Sequence, residues 1–230
     1  YGNAEDSLGG VGAPVWGNAR SYQITVYSPS FKEPAWTDNA VFYQIFPDRF
    51  ARGENPHPLP PNSERLYHED WSDTPALMMD AQTGDNVAHD FFGGTLNGIR
   101  EKLPYIASLG TTGLYLNPIF HARTNHRFDT IDWKAIDPVL GTEEDFRALC
   151  EEAKALGIHI VLDGVFNHSG NRNPFFQHAQ AVEDSPFRNW YYFEHWPDMY
   201  KSWWGFKTLP DLNNHQPEVI DFFLTDEDAI

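Results

Sequence analysis

The sequence predicts an α/β fold: the first part of a (β/α)₈ TIM barrel, about three β/α units, with an insertion after the third strand. Three apolar segments, at 41–46, 111–120 and 157–166, predict the strands, and the first is near-continuous, as in a parallel strand buried on both faces. Amphipathic helical patterns separate the segments, as in right-handed β/α units around a parallel sheet. Polar residues follow the third segment, and barrel enzymes build their sites at such carboxyl strand ends.

Residues 1–33 are predicted to be a linker or the end of a preceding β domain, ahead of barrel units at 34–170. Gly, Ala and Asn are frequent at the start of this region, and the segment 21–27 then alternates apolar and polar residues. Such alternation predicts a half-buried strand. The residues on one face of that strand are Tyr22, Ile24 and Val26.

The first barrel unit begins with strand one and continues into a long loop. Residues 51–90 are crowded with Pro, Asn, Asp and His, and loops of this length are usually functional or mobile. Helix one follows, with apolar residues at spacings of three or four. These residues are Leu96, Ile99, Leu103, Ile106 and Leu109. Pro104 interrupts the pattern, so a bend is expected there.

The second unit contains a helix with clear start and stop signals. Thr142 is the predicted N-cap, with Asp145 three residues later, and Gly157 ends the helix. The predicted buried stripe consists of Phe146, Leu149, Ala153 and Leu156. Cys150 lies in the same pattern and is interpreted as a small, buried hydrophobic residue.

An insertion is predicted at 171–213, where helical and strand periodicity are lost and Trp, Tyr, Phe and His are dense. This segment would form one wall of a cleft. Residues 214–230 are predicted to begin the next barrel helix, because a helical pattern resumes at 217–224.

The composition favours a neutral ligand. The 230 residues contain sixteen basic and thirty-three acidic residues, a formal net charge of −17. This balance disfavours nucleic acid and anionic membrane as partners. Eight Trp, ten Tyr and seventeen Phe provide flat apolar faces that suit sugar rings, although core packing also accounts for many of them. The sequence leaves the cellular compartment, cytoplasmic or secreted, and the oligomeric state open.

The run DGVFNHSG at 163–170 is the most informative stretch. It carries Asp163, Asn167 and His168 directly after an apolar strand, and therefore brings three polar groups to the mouth of a barrel. The alternative interpretation is that Asp and Asn only hold a loop, since both are common loop formers.

Several separated motifs occur in a fixed order, at 41–50, 91–120, 125–146 and 163–170. Together they closely resemble the α-amylase family of retaining glycosidases, within it the cyclomaltodextrinase, neopullulanase and maltogenic-amylase branch. The resemblance implies a glycoside hydrolase that acts with retention on α-1,4-glucans or on cyclic or short maltooligosaccharides. An α-glucan oligosaccharide is therefore the expected partner.

The resemblance also shows what the chain lacks. The family's nucleophilic Asp on the fourth strand, acid/base Glu on the fifth and second Asp after the seventh have no matching segments here. The chain is therefore expected to be part of a catalytic domain without its catalytic carboxylates, inactive alone. Two alternatives stay open: a non-catalytic glycan-binding module, and a glucan transferase or isomerase of the same family.

The resemblance assigns roles to individual residues. His168 matches a histidine that hydrogen-bonds the sugar at the cleavage subsite, and Asp163 matches an aspartate that orients the site. Phe128 stands where the family usually carries a sugar-stacking Tyr. Asp129 and His126 flank it, as loop scaffold or as polar subsite groups. Of the pair Trp203 and Trp204, one is expected to contact the ligand and one to pack.

No cofactor is firmly indicated, and calcium in the parent protein stays open. Asn167 matches a calcium ligand of many true α-amylases, though not of this branch. A second family site has Arg52 and His57 at ligand positions and Thr95 in place of an Asp. Calcium takes six to eight oxygen ligands, so an empty or degenerate site is expected. Three residues remain as candidate ligands, namely Asn167, Glu54 and Gly93.

Overall fold

The structure is a computed structural model that describes residues 14, 16–17, 25–54, 64–79, 87–227 and 229. The chain forms two compact units, Tyr1–Asn39 and Ala40–Ile230. In the described part of the first unit, a 3₁₀ turn spans Ala35–Thr37. The predicted boundaries after 33, 170 and 213 stay predictions.

The predicted strand at 21–27 is wrong for its last residues. Val26 is 90% exposed, and residues 25–27 are not in a strand. Alternation gives a buried face only where another layer packs on it, and no described residue of the first unit covers Val26. Tyr22 and Ile24 lie outside the described residues.

Short strands and helices build the second unit. In chain order the strands are β1 (Phe42–Ile45), β2 (Leu66–Tyr67), β3 (Asp90–Phe91), β4 (Gly113–Leu116), β5 (Phe120–Ala122), β6 (Thr130–Ile136), β7 (His159–Leu162), β8 (Phe193–His195) and β9 (Met199–Tyr200). The α-helices are α1 (Leu96–Glu101), α2 (Leu103–Ser108), α3 (Glu143–Ala155), α4 (Pro174–Ala181) and α5 (Pro217–Ile220). A π-helical turn, Asp221–Thr225, continues α5, which confirms the helical pattern predicted at 217–224.

A three-stranded parallel sheet, in the order β1-β4-β7, is the centre of the second unit. Ile45 pairs with Leu116, and Leu116 pairs with Leu162, so the carboxyl ends of the three strands lie at one edge. The predicted parallel β/α arrangement is confirmed. The long loop predicted at 51–90 carries the small parallel pair of β2 and β3.

The bend predicted in helix one is a break between α1 and α2. Lys102 separates the two helices, and Pro104 lies in the first turn of α2, where its missing N–H has no cost. Leu109, predicted to be buried, is 50% exposed, because α2 ends one residue earlier and the chain turns away from the core.

The capping signals of α3 are confirmed. Thr142 and Asp145 form a capping box, and Gly157 has a φ of +73° at the helix end. Leu149 and Ala153 are buried, whereas Leu156, predicted for the same stripe, is 45% exposed, since it follows the last helical residue. Cys150 is only half-buried, and this burial raises the pKa of its thiol.

Two apolar clusters form the core. The first joins the sheet to α1, α2 and α3, and contains Ile45, Leu96, Ile99, Leu103, Ile106, Leu114, Leu116, Ile119, Leu140, Leu149, Ala153 and Ile158. The second contains Trp133, Phe176, Ala179, Trp190, Tyr191, Leu212, Val219 and Phe223. Each such Leu, Ile or Phe contributes about 1.5–3 kcal/mol relative to exposure.

Helix α4 corrects the prediction that 171–213 lacks helical periodicity. Asn173 caps this helix by accepting a hydrogen bond from the Phe175 N–H, and Phe176 and Ala179 are buried against the second cluster. Eight residues give too few turns for a clear sequence pattern, so the helix went unpredicted. Within the described residues, every helix is too short or too polar to cross a membrane.

Candidate functional site

Two loops meet at the carboxyl ends of the sheet strands. One follows β4 and β5, and the other, 163–170, follows β7. The N–H of Gly170 donates to the carbonyl of Thr130 at 2.9 Å. A Cβ at Gly170 would lie 2.4 Å from the carbonyl oxygen of Asp129. Only glycine therefore allows this close approach of the two loops.

A cavity of about 600 Å³ opens between these loops and the insertion. Its wall includes five residues predicted for substrate binding, namely His126, Phe128, Asp129, His168 and Trp203. It also includes residues that the sequence did not indicate, namely Val87, His89, Arg123, Thr124, Asn171, Phe206, Thr208 and Leu209. Most of the wall is apolar or aromatic, with a few convergent polar groups, as is typical of a small-molecule site.

His168 is buried and bonded at both ring nitrogens. Its Nδ1 lies 2.8 Å from the Asn167 Nδ2, which donates to it, and its Nε2 donates to the Phe128 carbonyl at 3.1 Å. Burial lowers the pKa of His168, so the ring is neutral near pH 7. His168 therefore ties the two loops together within the cavity wall.

His126 and Asp129 lie on the turn after β5. The Phe128 N–H donates to the Nδ1 of His126 at 3.1 Å, which leaves the proton of the neutral ring on Nε2. Burial is the main cause that lowers the pKa of His126. The Asp129 Oδ1 accepts hydrogen bonds from the backbone N–H and the hydroxyl of Thr124. His126 thus offers a donor, whereas Asp129 is engaged in the loop.

The two tryptophans differ in position. Trp203 lines the cavity, 5.6 Å from the His168 ring, and stacks on Trp204 with centroids 4.6 Å apart and planes at 4°. Trp204 is 83% exposed and is not part of the cavity wall. Its φ of +49° is uncommon for a residue other than glycine. Of the pair, Trp203 lies in the cavity wall, and its role in ligand contact stays a prediction.

Asp163 is not brought into this cavity. It lies at the end of β7 beside Tyr115 of β4, and burial together with a hydrogen bond to Asp163 raises the pKa of the Tyr115 hydroxyl. Nearby, Gln44 donates to the side-chain oxygen of Asn117 at 2.8 Å. These polar groups occupy the strand ends and are not part of the cavity wall.

Sequence reasoning missed two polar residues of the wall, His89 and Arg123. His89 is 3% exposed and its Nε2 has no hydrogen-bond partner, and burial lowers its pKa. Arg123 donates to Glu64 at 2.9 Å, and Arg172 contacts the same carboxylate at 3.1 Å. These residues lie on aperiodic loops, where no local pattern indicates a site.

Hydrogen-bond donors occupy two of the positions, Arg52 and Thr95, where the sequence predicted an empty or degenerate calcium site. The Arg52 guanidinium donates to the backbone carbonyls of Phe92, Glu69 and His68. Thr95 caps α1 through a bond from the Gly98 N–H and donates its hydroxyl proton to the Arg52 carbonyl. Carbonyl oxygens that already surround a guanidinium do not fit calcium, which needs six to eight oxygen ligands.

The three remaining metal candidates do not converge. The Gly93 N–H donates to Asp48, and the Glu54 N–H donates to Glu101. Asn167 lines a separate cavity of about 280 Å³, where the Lys201 ammonium lies 3.4 Å from Asp211. His57 lies outside the described residues. Over the described ranges, no group of three or more His, Cys, Asp or Glu residues could hold a metal ion.

A parallel β/α sheet with a cavity at the carboxyl ends of its strands is the arrangement of the (β/α)₈ barrel enzymes. The family model described as "Alpha amylase, catalytic domain" matches residues 44–225. The chain therefore belongs to the alpha-amylase family, which confirms the resemblance and the barrel fold predicted from the motifs.

Individual relatives agree with this assignment. The chain is 37% identical to an amylopullulanase of Thermoanaerobacterium saccharolyticum, over 100% of this chain and 20% of that protein. It is 38% identical to an intracellular maltogenic amylase of Bacillus subtilis (strain 168), over 85% of this chain and 31% of that protein. All these proteins are longer, so the chain spans only part of their length.

Among solved structures, the chain is similar to the cyclic alpha-maltosyl-(1→6)-maltose hydrolase of Arthrobacter globiformis. The TM-score is 0.69 and the identity is 42%, with 81% of this chain and 40% of that chain covered. The likeness supports the first part of a barrel as the fold of the described residues. The relatives are named as amylolytic hydrolases.

Proposed function

We propose that the protein to which this chain belongs is a retaining glycoside hydrolase that cleaves α-1,4-glucosidic bonds in short or cyclic maltooligosaccharides. The observation that carries the proposal is the cavity where His126, Phe128, His168 and Trp203 meet. Aromatic faces beside a few polar groups suit sugar rings. The names of the relatives support maltooligosaccharides as the substrate class.

In this proposal the cavity binds and orients glucose units. Phe128 and Trp203 stack on sugar rings, and the Nε2–H of His126 donates to a hydroxyl. His168 is bonded to Asn167 and to the Phe128 carbonyl, and in this proposal its Nε2–H is shared between that carbonyl and a sugar hydroxyl. A hydrogen bond that strengthens in the transition state lowers the barrier, whereas uniform binding does not.

The chain itself is proposed to be inactive. Retaining hydrolysis needs two carboxyl groups about 5 to 5.5 Å apart, a nucleophile and an acid/base. Of the described residues in the cavity wall, only Asp129 carries a carboxyl group, and Thr124 already occupies it. We propose that Asp163 orients the site with Tyr115, and that the reacting carboxylates belong to other parts of the protein.

A glycan-binding module is the second candidate, and it is favoured because Asp129 is the single carboxylate among the described residues of the cavity wall. A binding module and an enzyme would share Phe128 and Trp203 as stacking surfaces but differ in turnover. A glucan transferase or isomerase would instead use the same contacts and differ in acceptor. Product analysis separates the three.

The test is incubation of the full-length protein with maltotriose, β-cyclodextrin and pullulan. New reducing ends, with the α-anomer appearing first by NMR, are expected of a retaining hydrolase. The same products should not form with residues 1–230 alone. Binding without turnover would support the glycan-binding module, and longer oligosaccharides or isomers would support the transferase or isomerase.

We also propose that the protein does not use calcium at the Arg52 position. The charge-assisted bonds of this guanidinium join the loop at 68–69 to the turn at 92–95. Arg52→Ala is expected to lower the free energy of unfolding by about 1 to 3 kcal/mol, because the partly buried hydrogen bonds to the Phe92 and His68 carbonyls are lost.

Excess calcium chloride should not restore that stability, and EDTA should leave the wild type unchanged, as measured by denaturant unfolding. Arg147→Ala is the matched control, since the Arg147 side chain is 70% exposed in its pair with Glu143. It should change little. Recovery of the Arg52→Ala variant by calcium would contradict the proposal.

A further inference from the structure

Arg127 lies between two residues of the cavity wall but faces away from the cavity. His126 and Phe128 both line the cavity, whereas Arg127 is 0% exposed. The φ of Arg127 is +62°, a left-handed conformation that is uncommon for residues other than glycine. This backbone lets the residues on both sides of Arg127 face the same cavity.

The Arg127 guanidinium is buried beside a carboxylate, and its Nη2 has no hydrogen-bond partner among the described residues. Its Nε lies 3.1 Å from the Oδ2 of Asp137, which is also 0% exposed, and its Nη1 donates to the Asn125 carbonyl at 2.7 Å. The Phe91 ring centroid lies 5.8 Å from its central carbon. Asp48 is a second fully buried carboxyl, and the Arg127 charge opposes the burial that raises the pKa of Asp48.

A buried ion pair is weak evidence for stability. Replacing both members of a buried ion pair by apolar residues of similar size often leaves stability unchanged or higher. Removing only one member leaves an uncompensated buried charge. The pair of Arg127 and Asp137 holds a turn of the site in place rather than filling the main apolar clusters. The geometry of this pair therefore affects the positions of the cavity residues on either side of Arg127.

The backbone on both sides of Arg127 belongs to the site. The Phe128 N–H donates to the Nδ1 of His126, and the Phe128 carbonyl accepts the proton of the His168 Nε2. A change in the direction of the chain at Arg127 would move both contacts. The tautomer of His126 and the direction of the Phe128 side chain therefore depend on this turn.

We infer that Arg127 is a positioning residue, whose buried pair with Asp137 holds the left-handed turn that directs His126 and Phe128 at a bound maltooligosaccharide. This inference rests on the proposed function. The residue does not touch the sugar, so its effect should appear in substrate binding. The chemical step should change little.

The test uses the full-length protein with maltotriose as substrate. Arg127→Met removes the charge, and Asp137→Asn weakens the pair from its other end while it keeps an oxygen for the Val139 N–H. Each is expected to raise KM about tenfold, with kcat within about twofold, because uniform binding is lost. Arg127→Lys keeps the charge and should give an intermediate KM.

Leu149→Ala is the control for a general loss of stability. Leu149 is fully buried in the first apolar cluster and does not line the cavity. This variant should lower Tm but leave KM at the wild-type value. If Arg127→Met does not fold, Asp137→Asn and Arg127→Lys decide the matter.

If the wild type is active, two results would overturn the inference and leave the proposed function standing. One is a KM within about twofold of wild type in the Arg127 and Asp137 variants. The other is a rise in KM for Leu149→Ala as large as the rise in those variants. A wild type that does not cleave maltotriose, cyclodextrin or pullulan would overturn the proposed function, and the inference with it. The activity of the wild type therefore distinguishes the two failures.

Discussion

Two walls of the same cavity are held in different ways. The turn at 124–130 is fixed by residues outside it: Asp137 pairs with Arg127, and His168 donates to the Phe128 carbonyl. The backbone of the segment at 203–206 is held locally, because the N–H groups of Trp203, Gly205 and Phe206 bond to carbonyls within 202–209. One wall is therefore connected to other parts of the unit by an ion pair and a hydrogen bond, whereas the backbone of the other wall is bonded within its own turn.

Because the two walls are held differently, we expect one to orient a bound sugar and the other to adapt to it. A fixed wall holds polar groups at constant positions, which a reaction requires. A locally held wall can change shape without disturbing the sheet, and local turns open more readily than cross-linked regions. We expect the turn at 124–130 to govern how a sugar is oriented, and the segment at 203–206 to govern which sugars are accepted.

The strongest test of the fixed wall is His168→Ala in the full-length protein. The loss of one strong hydrogen bond, about 1.5 to 3 kcal/mol, should lower kcat/KM roughly ten- to hundredfold. Stability should fall less than activity. The exposed His195 provides the control variant, His195→Ala, with wild-type kinetics. An unchanged kcat/KM in His168→Ala would make the histidine purely structural.

The adaptable wall can be tested by comparing Trp203→Ala with Trp204→Ala. Loss of a stacking surface in the cavity should raise the KM for maltotriose about tenfold, equivalent to about 1.4 kcal/mol. Trp204→Ala should have a smaller effect, since Trp204 lies outside the cavity wall. Trp16, which is 98% exposed, offers the control Trp16→Ala. Equal effects at 203 and 204 would remove the distinction between them.

The smallest expected effect is a pH dependence of the fixed wall. Burial lowers the pKa of His168 in the folded protein, so the unfolded state binds its proton more readily. The contribution of His168 to the free energy of unfolding is therefore complete above the pKa of the unfolded state, about 6.5, and declines as the pH falls below that value. The Tm difference between wild type and His168→Gln should therefore narrow from about pH 7.5 to 5. His195→Gln is the control variant. A Tm difference between wild type and His168→Gln that widens as the pH falls would contradict the expected direction of the pH dependence.

Local signals predicted the fold of the barrel units well. Thr142 and Asp145 are three residues apart, and a capping box needs no other part of the chain. The helix ends were less accurate: the apolar pattern includes Leu109 and Leu156, but both helices end before these residues reach the core. Periodicity shows which face is apolar but does not show where the last turn ends.

The site was predictable only where a motif carried it. His168 and Phe128 were found through family motifs, and both line the cavity. Arg127 was not found, although it lies between two predicted residues, because its importance depends on Asp137 and on a left-handed backbone. The choice between Trp203 and Trp204 also depends on backbone direction, which neighbouring residue types do not reveal.

Glu64 creates an unequal mutational tolerance at the rim of the cavity. Its carboxylate pairs with Arg123 and Arg172, so one acidic residue joins three chain segments that are far apart in sequence. Substitution of either arginine leaves one pair intact, whereas substitution of Glu64 removes both together. Substitutions in related sequences should therefore be more frequent at positions 123 and 172 than at position 64.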